Sequence, residues 1–261
     1  MVTAFLIVSG ASLLAVALLM GITAWVGHRL GKVSVVDTAW GLGFVLVALV
    51  AALTGCLLGE GNAVRRWVLL GLVGVWGLRL AWHMHRRNHG QPEDKRYAEM
   101  LGDAPFSVAL RRVFFTQGIS LWFVSLPVQV AAVAGDGLFW VAVAGIALWL
   151  IGATFETVGD AQLAAYKRDP DRGPVMDRGL WAWTRHPNYF GDACVWWGIF
   201  LVAASAWPGV LTVLSPVAMT YFLVWATGAK LLERTMMRRP GYPEYAARTS
   251  MFVPWPPKRQ H

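Results

Sequence analysis

The run Arg185-His186-Pro187-Asn188-Tyr189-Phe190-Gly191-Asp192 sets a guanidinium, an imidazole, an amide, a phenol and a carboxylate within one short stretch. Proline biases the residue before it away from helix and is itself tolerated at a helix start, so the spacing predicts a helix opening at Pro187 with Asn188 and Tyr189 in its first turn. From there Asn188 can present its amide to a carboxamide or a phosphate at the positive helix end, and Asp192, one turn on, faces the same side. Gly191 lets a cofactor or a neighbouring helix approach closely. The plain structural alternative is a helix start with a capping asparagine.

Three loops concentrate the other ligand-type side chains: RRNHGQPEDKRY at 86–97, the long stretch 159–192, and KLLERTMMRRPGYPEYAAR at 230–248. Their mixture suits a large polyanion carrying a planar ring, because arginine forks match phosphate oxygens, aromatic faces stack on a base and carboxylates accept ribose hydroxyls. Candidate contacts to such a cofactor are Arg86, Arg96, Arg178, Trp181, Arg185, His186, Tyr189, Glu233 and Tyr245. A nucleotide fits better than nucleic acid, which needs a broad basic surface. No GxGxxG follows a strand and no GxxxxGK[ST] occurs, so neither a Rossmann fold nor a P-loop can supply the phosphate site. A bound dinucleotide must then be held by helices and their loops.

Those helices are expected to cross a membrane. Of 261 residues 56% are hydrophobic and 15% charged, with a mean hydropathy of +0.48, more apolar surface than one soluble core can bury. Disorder, coiled coil and a secreted disulfide scaffold are excluded. Seven stretches are long and apolar enough to span: roughly 4–26, 35–57, 67–84, 112–134, 137–158, 189–206 and 210–229. The expected fold is an all-α polytopic membrane protein, one transmembrane helical domain over 1–261 with cofactor loops near 86–111, 159–188 and 230–261. The first stretch has no Lys or Arg ahead of it and outruns a signal-peptide core, so it is expected to remain as a transmembrane helix. Pro208-Gly209 marks a tight turn between the last two spans, and Cys56 and Cys194 read as core residues.

The formal charge of +8 is distributed unevenly. Of 23 basic residues, 20 fall in the odd-numbered loops and the C-terminal tail, Arg79 lies inside a span, and only Arg65 and Arg66 fall on the other side. The positive-inside rule then puts the N-terminus outside and the C-terminus in the cytoplasm. For Arg29, Lys32, Arg111, Arg112, Lys258 and Arg259 the reading is topology plus attraction to anionic lipid. Asp37 with Trp40 nearby, Arg79, His83, Glu156, Asp160 and Asp192 all lie at cytoplasmic span ends. Ionisable groups at that depth cost at least ~2.5 kcal/mol each, so they line a cavity or pair with one another. A polar pocket opening to the cytoplasm follows, with buried pairs such as Asp37 and Arg79 as the structural alternative. A metal reading of His83, His85, His89 and His186 fails on spacing, since i and i+2 point about 200° apart on a helix. A nucleophile reading fails because GxSxG is absent.

The RHPNYFGD run, preceded by GLWAWT and followed by ACVWWGIFL, resembles the steroid 5-alpha-reductase family in its bacterial branch, long catalogued as a domain of unknown function. The resemblance extends to VVDTAWGLGF near 40, WGLRLAWHMHRRN with EDKRY at 76–97, ETVGDAQLAAYKRDPDRG from 156, and the ER…YPEYAARTSMFVPWPP tail. The RHPxYxG core is shared with the isoprenylcysteine carboxyl methyltransferases and related membrane methyltransferases. The resemblance implies a seven-helix membrane reductase that uses NADPH to saturate a carbon-carbon double bond conjugated to a carbonyl. On it, Asn188, Asp192 and Asp160 fall on cofactor-contacting positions, Glu156 and Lys167 stand where an Asn and an Arg occur, and Lys230 and Arg234 match basic or His positions of the last helix.

In the steroid enzymes a Glu and a Tyr engage the substrate carbonyl. Here Asp37 stands in the early acidic position, the tyrosine's place falls to His83 or a neighbour, and Asp37, His83 and Tyr97 are the candidate proton donors. The substrate expected is a steroid-like or other lipid enone, in a bacterial inner membrane with the site facing the cytoplasm. Two other readings stay open: an S-adenosylmethionine-dependent methyltransferase, for which the many basic residues have no purpose, and a non-enzymatic accessory subunit whose basic residues meet an acidic partner.

Overall fold

The computed structural model describes residues 1–257, so Lys258 and Arg259 lie outside the described residues. It is all-helical, with no strand among the described residues beyond one isolated bridge between Thr184 and Ser250. The principal helices are α1 (Val2–Leu30), α2 (Val35–Leu57), α3 (Ala63–Asn88), α4 (Lys95–Leu101), α5 (Phe106–Ala109), α6 (Thr116–Val124), α7 (Leu126–Ala131), α8 (Phe139–Arg168), α9 (Pro187–Ala204), α10 (Leu214–Tyr221), α11 (Ala229–Met236) and α12 (Tyr242–Arg248). Five helical segments are long and apolar enough to cross a membrane: α1, α2, α3, α8 and the run Gly209–Met236 that contains α10 and α11. Contacts divide the chain into two compact units, Met1–Ala142 with Val202–Ser215, and Val143–Leu201 with Pro216–His261.

In the first unit α2 packs against both α1 and α3. Small residues set the α2–α3 approach: a Cβ on Gly41 would stand 2.6 Å from the Gly77 carbonyl oxygen, and one on Gly77 would stand 2.7 Å from the Gly41 carbonyl oxygen. Phe44 meets Trp76 edge-on at 5.6 Å, and both are buried. The stretch expected to span at 112–134 is broken into a π-helical turn (Leu110–Phe115), α6 and α7. Pro127 has no N–H to continue the ladder across Ser125, and Ser125 Oγ and Gln129 Nε2 both donate to the Trp122 carbonyl at 2.9 Å. At the far end of α3, Arg65 donates to the carbonyls of Ala134 and Gly135, and Arg66 donates to Glu60 O at 2.8 Å. The two arginines that depart from the charge bias thus serve as caps on backbone oxygens.

The second unit is organised by glycines seven residues apart. Gly145, Gly152 and Gly159 of α8 face Gly198, Gly191 and the Pro187 turn of α9, with a Cβ on Gly191 only 2.5 Å from Glu156 N and Gly152 O. A seven-residue repeat keeps one seam of each helix on its partner, and absent side chains let the backbones touch. Beyond α12 the chain runs beside the segment before α9: Arg185 N donates to Ser250 O at 2.9 Å and Trp255 N to Trp183 O at 2.9 Å.

Candidate functional site

The first cluster grows from the start of α2. Glu93, in the turn after α3, accepts from the backbone N–H groups of Val33 and Ser34, and Asn88 Nδ2 donates to Ser34 O at 3.3 Å. These bonds hold the α3–α4 turn across the α2 N-terminus, where a carboxylate is favoured by the helix dipole. Asp94 caps α4 by accepting from Arg96 N at 2.9 Å, which brings the next residue, Tyr97, onto α2. Tyr97 Oη donates to Asp37 Oδ1 at 2.7 Å, while Arg96 and Arg87 Nη2 reach Asp37 Oδ2 at 3.2 and 3.3 Å. Gln117 of α6 donates its Nε2 to Tyr97 Oη at 3.2 Å. The Asp37 side chain is 10% exposed, its two guanidinium partners 43%.

Electrostatics follow from this packing. Burial first, and then the charge and hydrogen bond of Asp37, hold the Tyr97 phenol far above its ordinary range. Burial alone would weaken Arg96 as a cation, but Asp94 and Asp37 outweigh it and hold its pKa above the ordinary value. Burial would likewise raise Asp94, yet the Arg96 and Arg87 contacts hold it low. Of the other residues predicted here, His83 is half-buried on α3, and Arg86 points outward over the Trp82 ring at 5.9 Å.

In the second unit Asn188 Nδ2 donates to Asp160 Oδ1 at 3.2 Å, and Glu156 and Asp192 are buried. Asn188 also caps locally, accepting from Tyr189 N at 3.1 Å. Arg185 and His186 serve a different network. Arg185 forks onto Glu233 at 2.6 and 2.9 Å and donates to Ala246 O at 2.8 Å and Thr249 O at 2.6 Å, while His186 Nε2 lies 3.2 Å from Glu233. Tyr242 Oη completes it at 3.4 Å. Trp181 is buried, its indole N–H on Gly159 O at 3.0 Å and its carbonyl accepting from Tyr245 Oη at 2.5 Å. Lys167 and Arg234 are exposed, and Lys230 lies over the Trp225 ring at 5.3 Å.

A cavity of about 640 Å³ opens between the end of α8, the 169–178 loop and α12, within the roughly 300–1,000 Å³ usual for small-molecule sites. Arg178 and Tyr245, both anticipated, line it together with Gln162, Tyr166, Arg172 and Arg248, which were not. Three guanidiniums and two phenols suit phosphate oxygens and a stacked ring, and Asp169 and Asp171 suit sugar hydroxyls. Arg248 is held by Asp177, and Arg172 lies over the Tyr166 ring at 5.9 Å. Among the described residues no group of three or more His, Cys, Asp or Glu is placed to hold a metal ion.

A family described as protein of unknown function (DUF1295) matches residues 24–249. The chain belongs to the DUF1295 family. No curated protein matches the sequence. The part that makes it a DUF1295 protein takes in Asp37, Tyr97, Asn188, the Arg185–Glu233 clamp and Arg248. In this DUF1295 protein the residues that sequence spacing missed are Arg87, Asp94 and Gln117 at the first cluster and Gln162, Tyr166, Arg172 and Arg248 at the cavity. The charge of the 86–97, 159–192 and 230–248 loops was the available signal for the arginines; Gln117 sits in an apolar run and gave none.

Proposed function

We propose that this chain is an NADPH-dependent membrane reductase that saturates a carbon-carbon double bond conjugated to a carbonyl in a steroid-like or other lipid substrate. The Asp37–Tyr97 hydrogen bond of 2.7 Å carries the reading. The resemblance to the steroid enzymes calls for an acidic residue and a tyrosine at the carbonyl; Asp37 supplies the acid, and Tyr97, hydrogen-bonded to it, takes the tyrosine's role in place of His83. NADPH, when bound, would supply the hydride for the β carbon, and solvent the proton that the α carbon takes up. With substrate bound, the Tyr97 Oη hydrogen that the free protein gives to Asp37 turns to the carbonyl oxygen, and a phenol kept so far above its ordinary pKa polarises by hydrogen bonding without surrendering that proton outright. Gln117 Nε2 can only donate, so the Tyr97 hydrogen is directed away from it. Arg87 and Arg96 fix the Asp37 carboxylate.

The cofactor's phosphates fit Arg172, Arg178 and Arg248 at the 640 Å³ cavity, with the Asp160–Asn188 pair available to its carboxamide. In the topology we propose, the 112–134 region and α9 add to the five membrane-length helices to make seven spans, N-terminus outside and C-terminus in the cytoplasm of a bacterial inner membrane. Capping by Arg65 and Arg66 supports it, because the remaining loop charge then lies on one side.

The test is enone-dependent loss of NADPH absorbance by detergent-purified protein, with a steroid enone and a fatty-acyl enone as substrates. Turnover that Tyr97→Phe and Asp37→Asn abolish supports the reading; methyl transfer from S-adenosylmethionine without NADPH consumption contradicts it.

A further inference from the structure

Arg86 and Arg87 are neighbours with opposite fates. Arg87 turns inward to Asp37 and Asp94. Arg86 makes no ion pair among the described residues and lies over the ring of Trp82, itself 63% exposed. Trp82, His85, Arg86 and His89 stand at i, i+3, i+4 and i+7, one outward stripe along the end of α3 and onto its C-cap residue His89. Its rings adjoin: Trp82 and His85 stack at 6.3 Å, and His85 and His89 meet tilted at 5.5 Å. No acidic side chain belongs to the stripe, since Glu93 and Asp94 are engaged with Val33, Ser34 and Arg96.

The same device recurs. At the end of α1, Arg29 lies over exposed Trp25 at 5.5 Å, and in the other unit Lys230 lies over exposed Trp225 at 5.3 Å. In each case an outward indole is followed, about one turn further along the chain, by a cation without an acidic partner among the described residues. Indoles settle at the level of lipid carbonyls and glycerol, and a cation one turn beyond reaches the phosphate layer. A guanidinium resting on an indole face keeps its edge donors free for phosphate oxygens.

We propose that the Trp82–His85–Arg86–His89 stripe is a binding site for the headgroup of an anionic phospholipid. Arg86 holds the phosphodiester, the two imidazoles add donors beside it, and Trp82 carries the glycerol backbone. Charge complementarity selects an anionic lipid over a zwitterionic one. The site is independent of the reductase reading.

The test is native mass spectrometry of the full chain released from vesicles of equal parts phosphatidylglycerol and phosphatidylcholine. Bound phosphatidylglycerol is expected to exceed phosphatidylcholine. Arg86→Gln is expected to reduce that preference about fivefold, the equivalent of about 1 kcal/mol for one basic residue at an anionic surface. Trp82→Leu, which keeps apolar surface but removes the indole, is expected to reduce it roughly two- to fivefold, and this second variant decides the matter if the first does not fold. Arg238→Gln, at an exposed arginine in the other unit, is expected to leave it unchanged. Equal retention of the two lipids, an equal loss in Arg238→Gln, or displacement of the bound lipid by inorganic phosphate overturns the proposal.

Discussion

Tyr97 donates to Asp37 at 2.7 Å across sixty residues of sequence, and the bond exists because the α3–α4 turn is pinned over the start of α2 by Glu93. Chemistry assigned to either residue therefore depends on that turn. Tyr97→Phe is expected to lower enone-dependent turnover a hundredfold or more, the usual scale for a lost proton-bearing group, while NADPH binding is retained. Glu93→Gln weakens the strap without touching the pair, so it should lower turnover less and rescue in part at reduced temperature.

The cavity arginines make a separable prediction. Arg172→Ala removes one charge-assisted donor worth about 1.5–3 kcal/mol, or roughly 10- to 100-fold in affinity. Titration with NADPH and NADH, read by intrinsic tryptophan fluorescence, should show that loss with the fold intact. Unchanged affinity in both Arg172→Ala and Arg178→Ala would remove the cavity from the cofactor site.

Arg185 should behave in the opposite way. It fastens Glu233 and two carbonyls near the end of α12, so Arg185→Ala leaves a half-buried carboxylate without its main partner and is expected to cost about 3 kcal/mol. Thermal unfolding would record a drop much larger than for Arg178→Ala.

Alkaline pH should unfold the protein through its buried phenols. Burial, then the Glu233 charge, pushes Tyr242 up to about 12, and Tyr97 and Tyr245 are also raised. Raised folded pKa values mean that the folded state holds its protons longer than the unfolded chain. The stabilisation is present below about pH 10 and lost as pH climbs through 12. Unfolding midpoints should fall steeply over that interval, and less steeply in Tyr242→Phe.

Gly191→Ala tests the α8–α9 seam. Its Cβ would lie 2.5 Å from backbone atoms of Gly152 and Glu156, so the helices must part at a cost of about 1–3 kcal/mol or more. Gly71→Ala, with nothing within 4 Å, should gain up to about 1 kcal/mol from helix propensity. Comparison of the two unfolding midpoints separates close packing from backbone entropy.

Much of the helical framework was legible because apolar length is a one-dimensional signal: the five membrane-length helices coincide with hydropathic stretches, and α9 opens at Pro187 as proline chemistry requires. The break at Ser125 was not, since a hydropathy window sums over Pro127 without registering its missing N–H. For Gly191, sequence left open a cofactor or a helix, and α8 is what approaches. Arg185 and His186 look like ligand residues by type, yet their partner, Glu233, lies 48 and 47 residues on, and no local spacing announces that clamp. Tyr97 was singled out, but its pairing with Asp37 needed the fold.

The proposed NADPH-dependent reduction rests on an acid–tyrosine pair and a basic cavity. The most direct measurement is the thermal unfolding midpoint of detergent-purified protein with NADPH, NADH, S-adenosylmethionine or no ligand. NADPH is expected to raise the midpoint, with the rise lost in Arg172→Ala and Asn188→Ala and retained in Tyr97→Phe. Selective stabilisation by S-adenosylmethionine, with none by either nicotinamide nucleotide, would contradict it.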